Sequence, residues 1–152
     1  MNHLATSKED ILAASRDLIK ENGWAAVSIR AVASRCSVSA GTIYNYYESK
    51  ADLLSDTIES IWHEIFFHPE DEQVFHDVES CISWIYERLE YGNRQFPGFF
   101  SLHSFGFMRD EKTSGKKRMM KTWGHILNGL CEVLGNDPKV RADVFDQEFT
   151  EK

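Results

Sequence analysis

The stretch SVSAGTIYNYYESK, residues 37–50, crowds the hydroxyls of Ser37, Ser39 and Thr42 and the phenols of Tyr44, Tyr46 and Tyr47 beside Asn45 and Lys50. These groups donate and accept hydrogen bonds, and Lys50 adds a charge. Nothing here pairs a nucleophile with a base, so the chemistry is recognition. If helical, the stretch anchors itself through Val38, Ile43 and one tyrosine at most. The rest of its surface is small, polar or phenolic. Such a helix is free to meet a partner rich in oxygen acceptors.

Other residues capable of chemistry form no comparable set. His63, His68, His76, His103 and His125 show no tight ligand spacing with Asp, Glu or Cys, and no metal or other cofactor is expected. Cys36, Cys81 and Cys131 are too few and too far apart for a disulfide framework. GNDPK lacks the glycine-rich run of a phosphate cradle, so no enzyme is expected. Trp62, Phe66, Trp84, Phe100, Phe105, Met120 and Trp123 can line an apolar pocket for a flat ligand or simply form a core. Glu64, Glu87 and Glu90 can pair with a cationic ligand or form a solvated helix face. SGKKRMMK, with four cations in eight residues, reads as a surface loop entering a helix, or as a secondary DNA contact.

The elements that must position these groups read as helices throughout, which predicts an all-α protein. TSKEDILAASRDLIKENG opens on a capping-box spacing, Ser7 to Asp10. Ile11, Ala14, Leu18 and Ile19 form its stripe, and Gly23 ends it. Ser28 caps a second short helix with Ile29, Val32 and Ala33 inward, and Ser39 caps a third. Ser49 opens a fourth over 50–67 with Leu54, Ile58, Ile61 and Ile65 inward, stopped by His68-Pro69. Phe75, Val78, Ile82, Ile85 and Leu89 mark a helix from about 72 to 95. Met120, Trp123, Leu127, Leu130 and Leu134 mark another, closed by GNDP.

The 152 residues are 42% hydrophobic with only 3 prolines, enough for one large core or two small ones sharing a helix. No apolar run approaches the roughly 18 residues that span a bilayer, and MNHLATSKED is not built as a secretory signal. A cytoplasmic protein with no membrane partner is expected. The net charge of −7 is unevenly placed: residues 1–55 balance 6 Lys+Arg against 6 Asp+Glu, leaving 11 against 18 beyond. A neutral head on an acidic body binds nucleic acid if the head's cations are grouped.

Three short helices within about 45 residues, the last two joined by a tight turn, make a helix-turn-helix pattern. One such helix lies in the DNA major groove and needs apolar anchors only on its back. Gly41, Thr42, Tyr44, Asn45 and Tyr46 suit its outer face. Residues 11–54, from ILAASRDLIKENG through VSAGTIYNYY to ESKADLL, resemble the DNA-binding domain of the tetracycline-repressor (TetR) family of bacterial regulators. The likeness covers about 30% of the chain, in several parts that keep register.

The resemblance implies the following roles. Thr42, Tyr44 and Tyr46 contact the DNA backbone or base edges, and Lys50 binds phosphate. Ser28 binds phosphate while capping its helix. Arg30 stands where some members read a guanine edge. Ala40 and Asn45 vary with operator sequence, and Ser39 and Gly41 complete the contact set. Tyr47 falls at a core position. Cys36-Ser37 departs from the usual Ala-Gly, a costly exchange if φ is positive there.

The resemblance divides the chain into a head, 1–49, and a helical effector-binding and dimerisation body, 50–152, with helix 50–67 as linker. It implies a homodimer on a palindromic double-stranded DNA operator, acting as a repressor released by an unknown small-molecule effector. Relatives close with a long dimerisation helix, whereas this chain stops at DVFDQEFTEK, as expected of a compact body or a truncated form. The alternative is a protein-interaction module of the same fold with weak or no DNA binding.

Overall fold

The computed structural model describes residues 6–67, 76–101 and 114–141, without the side chains of 114–122 and 125. The α-helices with both ends among the described residues are, in order, α1 Lys8–Asn22, α2 Ile29–Arg35, α3 Ala40–Tyr44, α4 Lys50–Phe66, α5 Val78–Gln95 and α6 Ser114–Asn136. A 3₁₀ turn, Trp24–Ala26, links the first two. The fold is all-α, and among the described residues every regular element is helical.

The predicted caps are made. Ser7 and Asp10 form a reciprocal capping box on α1, with Asp10 N–H donating to Ser7 Oγ at 3.1 Å and Ser7 N–H to the Asp10 carboxylate at 2.8 Å. Gly23, at φ 77°, closes that helix. Ser28, Ser39 and Ser49 cap α2, α3 and α4. Asp77 caps α5, so that helix begins at Val78 with His76 and Asp77 outside it. The expected start near 72 is therefore too early, and residues 72–75 lie outside the described set. In SGKKRMMK the helix begins at Ser114 itself.

The expected stripes hold in the head and shift in the body. Ile11, Ala14 and Ile19 are buried on α1, and Ile29, Val32 and Ala33 on α2. On α4 the buried residue is Leu53, while Leu54 is half-buried. Ile82 and Leu127, expected inside, are 51% and 54% exposed. Cys81, Trp84 and Gly92 face inward on α5, and Ile126 and Val133 on α6. One residue along a helix is a turn of about 100°, so a stripe read one position off points its side chains sideways.

The core passes from head to body without a break. Ile11, Val32, Ile43 and Tyr47 belong to the same buried cluster as Trp62, Phe66, Trp84, Phe96, Phe99 and Ile126. Helix α4 runs through its middle, and even Ser55, Asp56 and Thr57 are buried on it. Thr57 satisfies its hydroxyl on the Leu53 carbonyl at 2.7 Å, and Asp56 pairs with Lys8 of α1 at 2.6 Å. At the far end, Asp137 accepts the Val78 N–H at the start of α5 and the Lys139 N–H, each at 2.9 Å. The end of α6 thereby supplies a partner to an otherwise orphan donor of α5.

Gly92 on α5 packs directly against Ile65 of α4. A Cβ there would stand 2.6 Å from Ile65 Cδ1 and 2.9 Å from Phe100 Cζ. Gly92→Ala gains about 1 kcal/mol of helix propensity but forces a rearrangement that costs about 1–3 kcal/mol. With Ile65 fully buried, the expected net result is a loss of stability, read as a lower urea midpoint.

Asp77 accepts the Ser80 N–H at 2.8 Å and pairs with Lys139 at 3.3 Å. The backbone bond first, then the Ser80 side chain and Lys139, lowers its pKa from 3.8 to about 2. A lowered carboxylate pKa contributes stability above the unfolded value, lost as pH falls through the folded one. Wild-type stability is therefore expected to decline between pH 3.8 and about 2 more steeply than that of Asp77→Asn, measured by denaturant titration at each pH.

Candidate nucleic-acid interface

Helix α3 is five residues long and buries one side chain, Ile43. Its seating depends on what flanks it. The turn from α2 closes with Val38 N–H donating to the Ala33 carbonyl at 2.9 Å and Ser37 N–H to the Ser34 carbonyl at 3.1 Å. This nested pair is a Schellman closure, and it places Ser37 at φ 55°. The position that departs from the family's glycine is therefore the one with left-handed backbone, as the sequence warned. Beyond α3, Tyr47 is 4% exposed with the Lys8 ammonium 5.6 Å from its ring centroid, the core position expected.

Outward, Gly41, Tyr44, Asn45 and Tyr46 are exposed, Tyr44 by 55%, while Ala40 and Thr42 are half-buried. Gly41 is informative. A Cβ there would meet only Ser39 Oγ, at an ordinary 3.5 Å. Neither internal packing nor a left-handed backbone demands glycine at this position.

The hydroxyls divide by partner. Ser28 accepts the Ala31 N–H at 3.1 Å, and Ser39 accepts the Thr42 N–H at 3.1 Å while its oxygen lies 3.0 Å from Thr42 Oγ1. A serine that caps through a lone pair retains its proton for an acceptor beyond the helix. Tyr46 differs: its hydroxyl donates to the Thr6 carbonyl at 2.7 Å. That bond straps the segment leading into α1 to the segment leaving α3 and commits the phenol's proton. Sequence reading missed this strut, because forty positions separate its ends.

The cations sort in the same way. Lys8 pairs with Asp56, Arg16 with Glu9 and Glu64, Lys20 with Glu64, and Arg35 with Glu21 through both guanidinium nitrogens. The Arg35–Glu21 bonds lower the Glu21 pKa and raise that of Arg35. Of the six Lys and Arg in residues 1–55, this leaves Arg30 and Lys50, both exposed and without an ion pair among the described residues. They are the two that the resemblance singles out for base edge and phosphate.

In the body, Trp62 has ring neighbours at 5.6 Å (Phe66), 5.6 Å (Phe100) and 5.3 Å (Trp123), and Phe66 lies 5.8 Å from Trp84. Five of the seven pocket candidates thus form one cluster. Phe105 and the Met120 side chain lie outside the described set. Among the described residues no three His, Cys, Asp or Glu side chains converge as a metal site would require.

Residues 11–57 match the family described as "Bacterial regulatory proteins, tetR family". Those residues are a tetR-family domain. The chain is 38% identical over 48 residues to the HTH-type transcriptional regulator UidR of Escherichia coli (strain K12), covering 32% of this chain and 24% of that protein. It is 45% identical over 47 residues to the HTH-type transcriptional repressor KstR of Rhodococcus jostii (strain RHA1), covering 31% and 22%. For KstR of Mycobacterium tuberculosis (strain ATCC 25618 / H37Rv) the identity is 43% over 47 residues, covering 31% and 21%. The match therefore spans under a quarter of each relative. No solved structure matches the chain.

Replacing Ser37 by glycine removes a left-handed strain of about 1 kcal/mol. Ser37→Gly is expected to raise the thermal midpoint by roughly 2–4 °C, read by circular dichroism.

Proposed function

We propose that the chain is a DNA-binding transcriptional regulator that acts as a homodimeric repressor on an inverted-repeat operator. The observation that carries this is the outward face of α3, a helix whose one fully buried side chain is Ile43 and which is open at Gly41, together with Arg30 and Lys50, unpaired among the described residues. Tyr44 and Thr42 supply contacts from α3. Arg30 reads a base edge from the first turn of α2, while Ser28 and Lys50 bind phosphate from the starts of α2 and α4. Ala40 and Asn45 tune which sequence is preferred. Tyr46 supports the assembly as a strut rather than as a ligand.

The aromatic cluster of Trp62, Phe66, Trp84, Phe100 and Trp123 is the place in the body suited to a flat apolar effector, whose entry parts rings now in contact. Because α4 carries Trp62 and Phe66 and also follows α3, such entry displaces the head. No helix among the described residues is long and apolar enough to cross a membrane, in keeping with a cytoplasmic site of action.

Selection of binding sites from a random duplex pool tests the reading. An inverted repeat enriched by the wild type and not by Tyr44→Ala supports it. No duplex bound more tightly than random DNA at moderate salt overturns it. On the selected site, Lys50→Ala is expected to reduce the log–log salt slope of binding by about 1 per head, the value of one phosphate contact, whereas Arg30→Ala is expected to cost about 1–3 kcal/mol and to relax the preference at the base it reads. Tyr44→Ala is expected to weaken binding with that slope unchanged.

A further inference from the structure

Glu64, on the last turn of α4, gathers contacts from two other helices. Its Oε1 accepts from Lys20 Nζ at 2.6 Å and from the Tyr91 hydroxyl at 3.2 Å, and its Oε2 forms an ion pair with Arg16 Nε at 3.1 Å. Arg16 and Lys20 stand one turn apart on α1 of the head, while Tyr91 belongs to α5 of the body. The group is sheltered, with Arg16, Glu64 and Lys20 side chains 16%, 23% and 29% exposed. The Lys20 ammonium also lies 5.0 Å from the Phe96 ring centroid.

Beside it, Trp24 of the head meets Phe99 of the body at 6.2 Å between ring centroids, tilted by 50°. The two kinds of contact do different work. Apolar burial is non-directional, so rings slide over one another with little loss. Hydrogen bonds weaken steeply when bent, so a carboxylate held from three directions resists rotation. The rings make head and body adhere, and the carboxylate fixes their angle.

That angle matters because α4 is a lever. Its 17 residues reach about 25 Å at 1.5 Å per residue. A tilt of about 10° at the Glu64 end carries the Lys50 end through about 4 Å, more than the ~3.4 Å rise of one base pair. We infer that Glu64 is a positioning residue that sets the head-to-body angle, and through it the half-site spacing the protein accepts. This rests on the reading of the chain as a dimeric operator binder.

The test is selection by the full chain from a pool of inverted repeats in which the half-site is constant and the spacer length varies. Tyr91→Phe and Glu64→Gln are run in parallel with the wild type. Tyr91→Phe removes one oxygen and leaves the head's own pairs with Glu64 in place, so folding is retained. Both variants are expected to enrich the same half-site spread over neighbouring spacings. The preference for the best spacer over the next is expected to fall roughly fivefold, the worth of one lost hydrogen bond.

Variants that enrich the wild-type spacing as sharply as before overturn the inference while the operator reading stands. Loss of the half-site itself also overturns it, since Glu64 would then be holding up the head's own fold. If the wild type enriches no repeat, the operator reading falls and this inference with it.

Discussion

The burial of α4 over most of its circumference is the constraint on which the other elements depend. A helix with one apolar stripe has a wet face to spare, and this one has little. Leu53, Ile58, Ile61, Trp62, Ile65 and Phe66 are all within 4% of full burial, and they leave in several directions. Those facing α1 complete the head, and those facing α5 and α6 begin the body. The polar residues caught between them are satisfied locally, as Thr57 is by the Leu53 carbonyl, or by the neighbouring helix, as Asp56 is by Lys8. A buried polar group without such a partner would cost about 1–3 kcal/mol. The pairing of α1 to α4 is therefore obligatory and specific.

With α1 and α4 locked together, α3 can be short and lightly anchored. Five residues with one buried side chain would not remain helical alone. Here the helix is held at both ends: the Schellman closure and the Ser39 cap before it, and Tyr47 in the core after it. Tyr46 adds a bond back to Thr6. The outward surface is thus relieved of structural duty, so Gly41 and Tyr44 can be there for reasons that have nothing to do with stability.

Much of this was legible in the chain itself. Caps are local, and Ser7, Ser28, Ser39 and Ser49 were each readable from the next three residues. The left-handed turn at Ser37 was legible as an oddity against a family pattern, because backbone handedness is a property of one position. What could not be read was set at a distance. Glu64 was ambiguous between a ligand partner and a solvated face, and is neither: its partners stand 44 and 27 positions away. Ile82 and Leu127 were placed inside because spacing alone cannot say which of two adjacent apolar residues faces the neighbour. Asp137 looked like part of a helix stop, yet it binds the first N–H of a helix 59 residues earlier.

The unbroken core also bears on what a domain is in this molecule. Residue 49 ends the recognition unit as a reader of the sequence would draw it, but not as the side chains do. Phe99 lies under Trp24, Phe96 under Lys20, and Leu53 and Ile58 fill the head from the far side of that boundary. A body exchanged for that of a relative would bring its own residues to those places. What is inherited as a cassette is then the head together with α4 and the patch of body it rests on. Substitutions on the body's remote side leave the seam intact, while the seam itself changes only through matched substitutions in both halves.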